Sequence, residues 1–154
     1  MRIALGSDHA GFRYKEMFKG VLREMGHDVQ DLGVESDAMA ADYTEISEAV
    51  ARAVVEARAD RGVIVAGSGN GEAIVANKIH GIRATVCNDV YTAEMARRHN
   101  DANILCVGQR VMGEPVARKI LEIWMTTEFE GGRHQPRLDN IRALEERLGK
   151  EYGG

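Results

Sequence analysis

Three short stretches concentrate side chains that can move protons or hold anions: Ser7-Asp8-His9-Ala10-Gly11, Gly67-Ser68-Gly69-Asn70-Gly71-Glu72 and Gly108-Gln109-Arg110. Carboxylates at Asp8 and Glu72 can accept or donate a proton, His9 can do either near neutral pH, and Arg110 can fork onto an anion. The glycines at 67, 69 and 71 let the backbone approach a ligand and turn N–H groups toward it, ahead of a helix start that favours negative charge. The loop lacks the third glycine of a dinucleotide fingerprint. It also lacks a P-loop ending, because Gly71 is followed by Glu72-Ala73. Its anion is therefore a small phosphate or a charge that develops during reaction, and a glycine-rich turn alone can equally be a tight connection.

Each candidate also has a plainer explanation. An acid in a first helical turn, as at Glu72, suits the helix dipole, which should depress its pKa unless apolar walls push back. Asp8 could simply cap a helix beside a satisfied His9. Arg97 and Arg98, before His99-Asn100, suit a helix C-terminus. In Arg133-His134-Gln135-Pro136-Arg137, Pro136 opens a helix and puts Arg137 in its first turn, where positive charge is disfavoured. An anion held there would resolve that conflict; Asp139 could offset it more simply.

Elements that would position these groups are legible from periodicity. Apolar runs at Ile3–Leu5, Val29–Leu32, Val63–Ala66, Ala84–Cys87 and Ile104–Val107 read as strands. Helical spacing follows each: Tyr14 to Met25, Gly71 to about Lys78, about Tyr91 to His99, and a helix opened by Pro115, with Ile46 to Val54 between the second and third strands. Strand–helix alternation predicts an α/β fold: one three-layer domain over 1–154, doubly wound around a five-stranded parallel sheet, Rossmann-like, with an extra C-terminal helix. In such sheets ligands sit beyond the carboxyl ends of the strands, where all three stretches fall. The last segment, with Ile141, Leu144 and Leu148 on one face, has no strand to cover. The region of about 129–154 is therefore expected to reach a partner subunit.

Composition excludes several classes. A chain of 154 residues is one domain's worth, and a net charge of −4 argues against nucleic-acid binding. No apolar run approaches a membrane span, and the start, MRIALGSDHAG, lacks a signal-peptide core, so a cytoplasmic location is expected. Cys87 and Cys106 read as buried reduced thiols. The five histidines show no ligand-pair spacing, so neither structural zinc nor an obligatory metal is expected.

Jointly, GSDHAGF at 6–12, DY at 42–43, GSGNGEAIVANKIHGIRA at 67–84, ARRHNDANILCVGQR at 96–110 and FEGGRHQPR at 129–137 resemble the ribose-5-phosphate isomerase B family, within the ribose/galactose isomerases. The resemblance spans nearly the whole chain. It implies reversible aldose–ketose isomerisation of a sugar phosphate, with no metal or organic cofactor. It further implies that Asp8 and His99 open the sugar ring, with His99 as proton donor. Ser68 and the amides of Gly67, Gly69, Asn70 and Gly71 would stabilise an oxyanion. His9, Arg110, Arg133 and Arg137 would hold the phosphate, His134 lying among them, with Asn100 on a sugar hydroxyl and Tyr43 lining the site. One branch of the family carries a cysteine base before the glycine loop; here Ala66 stands there, and Glu72 matches the glutamate branch. Thr44 replaces a common proline, and Pro136 interrupts the arginine segment.

His99 and Asn100 end a helix running back from the carboxyl side, which puts them at the opposite end of their own sheet. A second subunit is the simplest supplier, so a dimer or dimer of dimers with shared sites is expected. Alternatives are isomerisation of galactose 6-phosphate, allose 6-phosphate or a tetrose phosphate, or a non-catalytic phosphate- or nucleotide-binding module. A phosphorylated receiver fits poorly, since the third strand ends in Ala66-Gly67-Ser68 without an acceptor aspartate.

Overall fold

The computed structural model describes residues 1–152. Five strands, β1 (Arg2–Ser7), β2 (Asp28–Asp31), β3 (Arg61–Ala66), β4 (Ala84–Val86) and β5 (Ile104–Gly108), pair in the order β2-β1-β3-β5-β4. Every pairing is parallel. The helices are α1 (Phe12–Glu24), α2 (Tyr43–Val55), α3 (Asn70–Ala76), α4 (Val90–Arg98), α5 (Glu114–Thr126) and α6 (Gln135–Tyr152), with single 3-10 turns at His9–Gly11 and Gly132–His134. The expected α/β architecture is observed; residues 153 and 154 of the expected domain lie outside the described residues. The third helix ends at Ala76, two residues short of its expected end, where Asn77 turns its side chain to bond the backbone of Ala84 in both directions. Cys87 lies just past β4.

The central strands are apolar on both faces because helices cover both. Ile3, Leu5, Val63, Val65, Leu105 and Val107 pack with α1, α4 and α5 around Phe18, Leu121 and Trp124. The alternate residues Ala4, Ile64, Ile104 and Cys106 face α2 and α3. This period of two follows from the pleat. Complete burial of each Leu, Ile or Val contributes about 1.5–3 kcal/mol over exposure, so the sheet interior holds the layers together.

Between the adjacent strands β1 and β3 the chain reverses its direction of winding. The segment after β1 leads to α1 on one face and the segment after β3 to α3 on the other, opening a crevice at their carboxyl ends. The last helix, α6, lies outside both layers, with Ile141, Leu144 and Leu148 each 40% exposed or more.

Candidate active site

The crevice is a cleft of about 540 Å³ lined by Asp8, His9, Ala10, Tyr43, Gly67, Ser68, Gly71, Glu72, Arg110 and Val111. Asp8 does cap the first 3-10 turn, accepting from the Ala10 and Gly11 N–H groups at 3.0 and 3.2 Å, and it still faces the cleft. Structural and functional roles coincide in one carboxylate. The cap holds the turn that presents His9.

On the opposite wall, Gly69 takes φ +83° at the N-cap of α3, a left-handed conformation that an L side chain adopts at a cost. That turn is steadied by the Ser68 hydroxyl, which accepts from the Asn70 N–H at 3.3 Å. Gly71 lies under the Tyr43 ring, and a Cβ there would sit 2.8 Å from the ring carbon Cε2. Tyr43 begins α2, whose N-cap Asp42 accepts from both the N–H and the hydroxyl of Thr44. Thr44 is thus compatible with the helix start where a proline is common, because it supplies both capping donors. Arg110 lies over Gly67, its Nη1 3.4 Å from where a Cβ would stand.

Glu72 is 5% exposed at the start of α3. Burial raises its pKa above the ordinary carboxylate value, and the neighbouring Asp8 charge adds to the rise against a bond from its own backbone N–H. Burial therefore outweighs the backbone hydrogen bond that favours the charged form. The result is a carboxyl group of enhanced basicity beside a loop of backbone N–H groups. Cys106 behind it is fully buried, and burial holds its thiol far above the usual range, so it is inert as a nucleophile.

Of the remaining expected site residues, Gly69 is buried against the β5 backbone and Asn70 borders a separate shallow groove along α3. His99, Asn100, Arg133, His134 and Arg137 do not line the cleft. His99 caps the C-terminus of α4, and the chain then enters β5 from its amino end. The five residues of β5 alone span roughly 13 Å at ~3.3 Å per residue. His134 joins His99 there, with rings stacked at 4.1 Å and 16°. Arg137 falls in the first turn of α6 as expected, a turn without an acidic residue, while the Asp139 carboxylate is occupied by the Gln135 amide at 2.9 Å. Burial and the neighbours His99, Arg133 and Arg137 lower the His134 pKa, which favours the neutral ring, and its Nε2 is buried without a hydrogen-bond partner. Arg97 and Arg98 hold local structure: Arg98 pairs with Glu94 and Glu130, and buried Arg97 with Asp101.

His99, Glu130 and His134 place one potential ligand atom each within 4.8 Å of one another. The imidazoles stack on each other at 4.1 Å, and Glu130 already pairs with Arg98 at 3.1 Å. We assign this cluster no metal. Ala10 and Val111 complete the cleft without having been singled out from sequence, since small and apolar wall residues carry no chemical signature.

Residues 3–141 match the model of the Ribose/Galactose Isomerase family. The chain belongs to that family. Ribose-5-phosphate isomerase B of Escherichia coli is 42% identical over 146 residues, covering 95% of this chain and 97% of that protein. The solved ribose-5-phosphate isomerase B of Clostridium thermocellum superposes with a TM-score of 0.93 at 42% identity, covering 96% of this chain and 99% of that one. A D-erythrulose-4-phosphate isomerase of Pectobacterium atrosepticum is 35% identical over 92% of this chain and 93% of its own length. As a ribose/galactose isomerase family member the protein is an enzyme, a sugar-phosphate isomerase, and the binding-module alternative falls away. Among the described residues no helix is long and apolar enough to cross a membrane.

Proposed function

We propose that the protein interconverts ribose 5-phosphate and ribulose 5-phosphate through an enediolate, with Glu72 as the base. The buried Glu72 carboxylate, its pKa raised beside the glycine loop, carries this reading. Asp8 takes the anomeric hydroxyl proton while His99 of the partner subunit protonates the ring oxygen. The open aldehyde then loses its C2 proton to Glu72, and charge develops on O1 next to Ser68 and the amides of residues 67–71. The O2 proton passes to O1, moving the negative charge to O2, and Glu72 then returns its proton to C1 as the C2 carbonyl forms, giving the ketose. Each preorganised donor in such a loop is worth roughly 2.7–4 kcal/mol to the transition state.

His9 and Arg110 grip the phosphate from one subunit; Arg133 and Arg137 of the partner subunit grip it from the other, with the partner's His134 beside them and the partner's Asn100 on a sugar hydroxyl. Separation of the two residue groups to opposite ends of the sheet supports a shared-site dimer, as do the unpartnered His134 Nε2 and the exposed seam of α6. The two unpaired buried cysteines suit a reducing compartment, the cytoplasm.

Incubation with ribose 5-phosphate in deuterated water tests the reading. Ketose carrying deuterium at C1 is expected, and absence of conversion would overturn it. A panel of tetrose, pentose and hexose phosphates, compared by kcat/KM, tests the sugar. The relative named for D-erythrulose 4-phosphate makes the tetrose the informative competitor.

A further inference from the structure

Helix α1 is capped from across the cleft. Its N-cap, Gly11, has no side chain, so the first-turn N–H groups lack a local side-chain acceptor. One of them, the Tyr14 N–H, donates to Oε1 of Gln109 at 2.9 Å, across 95 residues of sequence. The Gln109 N–H donates to the Ala66 carbonyl at 2.8 Å, and the Arg110 N–H to that of Gly67 at 3.1 Å. From the other side the Tyr14 hydroxyl, on a residue only 3% exposed, donates to the Met112 carbonyl at 2.8 Å.

One dipeptide is thereby tied to two walls at once. Its main chain is fixed to the end of β3 and the glycine loop, and the Gln109 side chain to the start of α1, which carries the Asp8–His9 turn. Gln109 and Tyr14 do not line the cleft, and neither side chain bonds Glu72 or Ser68.

We infer that Gln109 and Tyr14 are positioning residues that set His9 and Arg110 at a fixed separation before a phosphate arrives. This rests on the phosphate roles given to those two groups above. Preorganised donors bind more tightly because the ordering cost is met during folding. A clamp on the grip alone should change ground-state and transition-state binding equally, leaving turnover at saturation untouched.

The test uses Gln109→Met, which keeps bulk and loses the acceptor, and Tyr14→Phe, which loses one hydroxyl. In each, kcat, KM, the Kd of inorganic phosphate by calorimetry and the Tm are measured. We expect KM and phosphate Kd to rise about three- to tenfold, the worth of one hydrogen bond, with kcat within about twofold. Unchanged KM and Kd in both variants, whatever the Tm, reduces the pair to fold stability and overturns the inference. A fall in kcat at constant KM overturns it too, as does a wild-type protein that binds no phosphate. If wild type turns over no sugar phosphate while the variants bind phosphate more weakly, the isomerase reading fails and the clamp stands.

Discussion

At position 72 two physical effects act in opposite directions. A bond from its own backbone N–H lowers the carboxyl pKa, and burial raises it; at 5% exposure burial wins. The same shift makes the residue a better base and a stability liability. A group whose folded pKa lies above its unfolded value contributes stability below the unfolded pKa and loses it as pH rises through the folded pKa. Glu72→Gln should therefore raise the Tm at pH 7 to 8, with the gain vanishing below about pH 4.5, near the unfolded carboxyl value. Its turnover should fall by about 10²–10⁴, with phosphate affinity kept. Near-wild-type turnover would reassign the base. For the wild type, the acid limb of kcat/KM should lie above the ordinary glutamate range, because activity needs the ionised form; a limb at or below that range contradicts the environment described for Glu72. These residues were legible from type and spacing, but the sign of the Glu72 shift was not. It depends on walls from other strands.

Among the elements, the helices that cover the sheet were readable from periodicity, since each buries one apolar face. Helix α6 was also readable, and it leaves a seam of Ile141, Leu144 and Leu148 each 40% exposed or more. Leu144→Glu should leave the monomer folded, because that side chain is 44% exposed in it. If α6 packs on a second subunit, the change should shift sedimentation toward monomer and abolish most isomerisation. An unchanged oligomer with full activity would remove α6 from the interface. The N-terminus of α1 escaped the sequence: its cap comes from Gln109, and no local pattern connects residues so distant.

For the molecule as a whole, the cleft groups and the His99–His134 group lie at opposite ends of the sheet. If sites are shared, two inactive variants should complement. Glu72→Gln mixed with His99→Ala, refolded together at equal amounts, should recover about a quarter of wild-type activity, since half of the random dimers are mixed and each holds one intact site. No recovery would confine the chemistry to single chains. Arg137→Ala alone should chiefly raise KM, as loss of a phosphate contact does.

By itself the sequence determined the strand–helix alternation, the loops that end β1, β3 and β5, and the identity of most candidate groups, because these rest on local periodicity and residue chemistry. The tertiary structure alone decided the order β2-β1-β3-β5-β4, the basicity of Glu72 and the bridge from Gln109 to α1. Each of those is a relation between segments far apart in the chain, where burial and hydrogen-bond partners arise only once the layers have packed.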